Sequence, residues 1–194
     1  MHHTTRRVTA TACLALLGTI AAACGDDAGA NSAVPTTETT TDHSTARAHD
    51  DTTVTIDGID YGFENVPASI PAGTRLGFRN TSANELHELV AFRLETDASL
   101  DELVTRPPAE LEATLGEPVT VMLQAPGAPE TTVAVGDGTL TEPGRYVLMC
   151  FIPVGADPDE YMAAVAAAGG GKPEGVAGGP PHFTAGMVAE IAVE

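Results

Sequence analysis

The chain has 194 residues, with 27 acidic side chains against 9 basic ones and a formal net charge of −18. Such acidity argues against a nucleic-acid partner, because phosphate contacts need Lys and Arg, and against direct docking on an anionic lipid surface. Hydrophobic residues make up 43% but aromatics only 4%, with no Trp, so a core has to be built from Val, Leu, Ile and Ala.

Met1 to Arg7 holds two arginines and no acid, and Val8 to Ala23 is apolar and small, too short to span a bilayer. The run ends in Ala21-Ala22-Ala23-Cys24. A basic start, an apolar stretch and small residues predict an export signal over 1–23. The Cys directly after the small residues resembles a bacterial lipobox, which implies cleavage before Cys24, acylation of its thiol and anchoring to the outer face of the cell membrane. The alternative is an ordinary signal followed by a chance Cys. Arg6-Arg7 leaves the choice between general and twin-arginine export open. Cleavage removes two arginines and no acid, which takes the net charge from −18 to −20. It also removes Cys13, so Cys150 becomes the one unmodified thiol and no internal disulfide can form. A lone thiol in an exported protein is either an inert core residue or one that does chemistry.

Residues 24–51 are rich in Thr, Ala, Ser and Asp and lack large apolar side chains, which predicts a flexible tether. His43 and His49 fall there and read as solvated linker residues. From Thr52 the pattern turns to β, and a single domain is expected over 52–194. Thr53-Val54-Thr55-Ile56 alternates, Pro67 to Gly73 reads as a strand entering a turn, and Thr74 to Asn80 alternates as a half-buried strand does. Further strands are expected over Leu86 to Leu94, Val119 to Leu123, Thr131 to Val135, Gly144 to Cys150 and Met187 to Val193. About seven short strands with turn signals between them suggest an all-β sandwich.

Two segments interrupt this pattern, at about 99–115 and 157–169. Ser99 with Glu102 predicts a capping box opening a short helix to about Thr105. Pro107-Pro108 opens a second helix that stops near Leu115, at Gly116. Asp157 with Glu160 suggests another capping box, with Pro158 at the first helical position of an Ala-rich helix that stops at Gly169. Residues 169–181 are then mostly Gly, Pro and Ala.

The chemistry gathers around the last strands. Cys150 ends a strand, His182 and Met187 stand before the closing strand with four residues between them, and His87 opens a strand upstream. One thiolate, two imidazoles and one thioether are the donors of a trigonal copper site with a weak axial Met. Sulfur suits copper(I) and imidazole suits copper(II), so such a set accommodates both states with little rearrangement. Glu85 and Glu88 flank His87 and read as solvated loop charges, or alternatively as hard ligands.

At this point the sequence resembles the cupredoxins of plastocyanin and halocyanin type. The resemblance is carried by Pro71-Ala72-Gly73, Leu76, Phe78, Asn80 and His87 in the first half. In the second half it is carried by Gly144-Arg145-Tyr146, Cys150, Pro181-His182 and Gly186-Met187-Val188. It implies a Greek-key cupredoxin-like β-sandwich with two short helical insertions and one type 1 copper ion on His87, Cys150, His182 and Met187. It also implies one-electron transfer to a redox protein partner, with His182 as the exposed edge toward it. The chain departs from the family in three places. Where the family commonly has an Asn after the first His it has Glu88; where the family has a small hydroxyl after the Cys it has Phe151; and 31 residues separate Cys150 from His182. Relative to a loop of about four residues, that spacing adds ~1.8 kcal/mol of closure cost. Metal binding can supply about 10 kcal/mol, so the spacing does not forbid the site.

Three other readings stand beside electron transfer. The same set could carry or store copper. The fold could serve as a metal-free binding or scaffold lipoprotein. Cys150 with His182 could be a nucleophile and its base, but no oxyanion motif or third orienting group accompanies them. The expectation is therefore no enzyme. The acidic surface either steers a basic partner or simply maintains solubility.

Overall fold

The computed structural model describes residues 52–169 and 171–194. The predicted leader, Cys24 and the tether lie outside the described residues. Among the described residues ten strands form two sheets: β1 (Thr53–Ile59), β2 (Gly62–Glu64), β3 (Ser69–Ile70), β4 (Thr74–Asn80), β5 (His87–Arg93), β6 (Thr120–Gln124), β7 (Thr132–Val135), β8 (Thr139–Leu140), β9 (Gly144–Met149) and β10 (Val188–Val193). One sheet runs β2-β1-β4-β8 and the other β3-β10-β9-β5-β6-β7. The result is the all-β sandwich the sequence predicts. The short strands β2 and β8 are additions to that expectation.

Between the sheets lies an aliphatic core. Ile56, Leu76 and Phe78 from one sheet meet Leu89, Leu148 and Ile191 from the other. Strand β4 alternates buried and exposed positions, as its sequence does. Strands β5 and β9 do not alternate, because both their faces are covered. Leu89, Ala91, Tyr146 and Leu148 point into the sandwich, whereas Val90, Phe92, Val147 and Met149 face outward. The covering layer is α1 (Leu100–Val104) and α2 (Pro108–Leu115), which contribute Leu103, Leu111 and Leu115 to that outer cluster. Ser99 and Glu102 form the expected reciprocal cap of α1, and Gly116, at φ 66°, ends α2 in the left-handed region that favours glycine.

The third helix, α3 (Pro158–Ala168), opens on Asp157, whose side chain accepts from the Asp159 and Glu160 amides. Glu160 does not reach back to complete the expected capping box; the Asp157 carboxylate alone serves the first turn. The helix stops at Gly169, at φ 59°, and buries Tyr161 and Val165. With Ala156 and Ile152 these side chains cover the end of the sandwich where Cys150 lies.

Among the described residues no helix is long and apolar enough to cross a membrane.

Candidate metal centre

Three of the four expected ligands converge at one end of the sandwich. His87 opens β5, Cys150 directly follows β9, and the two strands are antiparallel neighbours in register at Val90 and Met149. The head of one and the tail of the other therefore meet. His182 begins a short 3-10 turn, His182–Ala185, that leads into β10, which pairs with β9. The Nδ1 atoms of His87 and His182 are 3.2 Å apart, and Cys150 Sγ lies 3.4 Å from His182 Nδ1. The donor atoms of all three residues lie within 4.8 Å of one another, and all three side chains are buried. Met187 is fully buried in the cluster that contains Cys150, with its methyl beside Gly58. Its carbonyl accepts from the Cys150 amide at 3.3 Å, and its amide donates to the His182 carbonyl at 3.1 Å.

The two imidazoles are oriented alike. Each turns Nδ1 toward the cluster and Nε2 away, and both Nε2 atoms are buried without a hydrogen-bond partner. Beyond them stand carboxylates, Asp60 at 4.0 Å from His87 and Glu85 at 3.6 Å from His182. A carboxylate on the far side favours the proton on Nε2 and leaves the Nδ1 lone pairs free for a cation. Burial, and then the neighbouring His182, lower His87 to about 4, so it is neutral at neutral pH. Burial likewise lowers His182. The Cys150 thiol is pushed well up, first by burial and then by the charge of Glu88, so a cation binding there must displace its proton. Two neutral imidazoles and one thiol converging in a buried pocket fit a soft or borderline ion.

The long excursion between Cys150 and His182 is pinched at its neck. The His182 amide donates to the Ile152 carbonyl at 3.0 Å, and the Phe183 amide to the Cys150 carbonyl at 2.9 Å. Val154 donates to Pro180 at 3.1 Å, and Gly179 to Val154 at 2.8 Å. These four bonds hold His182 next to Cys150 whatever the length of the chain beyond them.

Two expectations are corrected. His182 is not an exposed edge: it is fully buried, with the Tyr61 ring edge-on at 5.1 Å and Glu85 over its Nε2. The neck draws it inward, and the turn at Tyr61, at φ 60°, closes over it. Glu88 is not a solvated loop charge; it is only 4% exposed. Its backbone N–H donates to Cys150 Sγ at 3.5 Å. One carboxyl oxygen accepts from the Phe151 amide at 2.9 Å, and the other lies 3.4 Å from the Tyr161 hydroxyl. Burial pushes this carboxyl up to about 7 against the opposing pull of the Phe151 amide. The sequence did carry a signal for both residues. Glu88 is the only acid inside the apolar run Leu86 to Phe92, and Tyr161 is the only aromatic on α3.

Asn80 steadies the loop that leads to His87. Its amide nitrogen donates to the carbonyls of Glu85 and Gln124, each at 2.8 Å.

No known family model and no curated protein matches the sequence. Among solved structures, the chain is similar to dithionite-reduced auracyanin from the photosynthetic bacterium Roseiflexus castenholzii, at 23% identity and a TM-score of 0.42, over 74% of this chain and 97% of that one. It is also similar to auracyanin A, a "blue" copper protein of Chloroflexus aurantiacus, at 14% identity and a TM-score of 0.38, over 73% and 98% of the two chains. For auracyanin B the values are 19% and 0.36, over 74% and 88%. What the centre of this chain can do is argued from its own side chains.

Proposed function

We propose that the chain binds one copper ion through His87, Cys150 and His182, with Met187 as a weak fourth ligand, and serves as a one-electron carrier in an exported lipoprotein. The observation that carries this reading is the convergence of two Nδ1 atoms and one Sγ within 4.8 Å in a buried pocket. Bound there, the ion would supply reversible one-electron redox chemistry. The chain's own residues do the rest. Neutral imidazoles present lone pairs, Asp60 and Glu85 favour the opposite tautomer proton, and the buried wall of Leu86, Leu123 and Ile152 excludes water.

The wider reading has residues 1–23 as the leader, Cys24 as the lipidated residue at the outer face of the cell membrane, 24–51 as the tether and 52–194 as the copper domain. A redox protein is the partner. Copper(II) titration of the purified mature protein tests the centre. One equivalent should raise an intense visible thiolate-to-copper band and the melting temperature; absence of both overturns the reading. The mass of the membrane-extracted protein, compared with that of Cys24→Ala, tests the anchor.

A second reading, copper carriage or storage, is favoured by the complete burial of His182. Fast electron self-exchange of the loaded protein supports the carrier reading. Slow exchange together with ready copper handover to a competing chelator supports storage.

A further inference from the structure

We propose that Asp60, Tyr61 and Glu85 form the port of the centre: the two carboxylates receive a hydrated copper ion from solvent, and the Tyr61 ring is the door over His182. The proposal rests on the assignment of His87, Cys150 and His182 as the copper ligands.

The ligand atoms are buried, so an ion reaches them only past some part of the wall. On the sulfur side that wall is aliphatic, because Cys150 and Met187 share a cluster with Leu86, Leu123, Ile152 and Val165. A hydrated ion would shed its water there against side chains that offer nothing in exchange. The imidazole side differs. Nε2 of His87 and Nε2 of His182 are buried without a partner, and each is aimed at a carboxylate that reaches solvent. The Asp60 side chain stands 4.0 Å from His87 and is 61% exposed; that of Glu85 stands 3.6 Å from His182 and is 21% exposed. Among the described residues neither pairs with a Lys or Arg, so both charges are open to a cation from outside.

Tyr61 closes this side. Strands β1 and β2 are joined by the two-residue turn Asp60-Tyr61, since Ile59 pairs with Gly62. Tyr61 takes φ 60° there, a left-handed backbone that a bulky side chain adopts only at a cost. That conformation sets its half-buried ring edge-on to His182, with centroids 5.1 Å apart. The surroundings of the turn are fixed. The Thr81 amide and hydroxyl both donate to the Gly58 carbonyl, and the Ser82 hydroxyl donates to Asp60. A strained residue on a fixed base is the part of the wall that gives most readily, and relaxing it takes the ring off His182. Passage inward then exchanges the Cys150 thiol proton for the ion; the proton leaves to water and no electron moves.

The test mixes the metal-free full chain with copper(II) in a stopped-flow instrument at low and high salt, follows the visible band, and then follows its loss to a chelator. Asp60→Asn with Glu85→Gln should slow loading about tenfold at low salt and flatten its salt dependence. Glu142→Gln is the control. Glu142 precedes β9 and so lies at the opposite end of that strand from Cys150; its loss should slow loading less than about twofold. Tyr61→Gly should speed loading and release together, each about three- to tenfold, so that affinity moves less than either rate, as removal of a gate requires. A double variant that loads at the wild-type rate overturns the proposal, and so does a Glu142→Gln as slow as the double variant. Unchanged loading and release in Tyr61→Gly overturn it too. If Tyr61→Gly fails to fold, Tyr61→Asn, which tolerates the left-handed backbone, decides by the same two rates. A wild-type protein that never shows a band with copper(II) sinks the copper assignment instead, a result distinct from any change of rate.

Discussion

The imidazoles of His87 and His182 face each other Nδ1 to Nδ1 across 3.2 Å, with neither Nε2 making a hydrogen bond. Two lone pairs cannot occupy that gap comfortably unless one nitrogen keeps a proton or a cation sits between them. With Cys150 Sγ as the third corner, the arrangement suits a cation at its centre.

Removing the sulfur corner is the most direct check. Cys150→Ala should abolish the visible copper band while far-UV circular dichroism remains that of a β protein. Loss of one buried atom group costs about 1 kcal/mol, which a sandwich with this core withstands. Retained colour at the same copper stoichiometry would mean that Cys150 is not a ligand.

Met187 should act on the potential more than on binding. Met187→Leu conserves volume and should cost under about 1.5 kcal/mol of stability. Its copper stoichiometry should stay at one while voltammetry shows a displaced midpoint. An unmoved potential would remove Met187 from the ligand set.

The neck beneath the long excursion offers a test remote from the ligand atoms. A Cβ placed on Gly178 would stand 2.5 Å from Pro153 Cβ and 3.2 Å from the Val154 carbonyl. Gly178→Ala should therefore open the pinch at a cost of about 1–3 kcal/mol. Because His182 would then be correctly placed in only a fraction of molecules, apparent copper affinity should fall roughly three- to tenfold. Competition titration against a chelator reads this directly.

A pH effect is expected from a carboxylate on β1. Asp57 accepts two bonds from Arg79, both at 2.7 Å, and one from Asn65 at 2.7 Å. The Arg79 bonds hold its carboxyl below the usual 3.8 despite opposing desolvation. A lowered folded-state value means the stabilisation is present above 3.8 and is lost as pH falls through the lowered value. Asp57→Asn should destabilise the domain by about 1 kcal/mol at neutral pH, since Arg79 is open to solvent. The gap from the wild type should narrow below about pH 4. Urea melts at pH 3 and pH 7 measure it; an equal gap at both would rule out the pair.

How much of this was legible before folding depends on where each residue's partners lie. Thr74–Asn80 is read residue for residue because one face meets the core and the other meets water. The stop at Gly116 is read because only its own backbone is involved. Strands β2 and β8 are two or three residues long and exist through their neighbours in the sheet, so no local pattern announces them. The ligand set is legible from donor chemistry and order along the chain. The burial of His182 is not, because it depends on backbone bonds made by residues dozens of positions away. Glu88 illustrates the same limit. An acid beside a presumed ligand reads as solvated until α3 and the Cys150 turn are seen to close over it.

Strands β5 and β9 are sheathed on both sides, by the opposite sheet and by α1 with α2. They are the parts of such a fold that open last, when the whole domain melts. His87 and Cys150 hang from the ends of these two strands. Fraying at the periphery would therefore leave the centre assembled, and bleaching of the copper colour on heating should coincide with cooperative unfolding. The ion would then report on the integrity of the entire molecule, as an internal thermometer of its folded state.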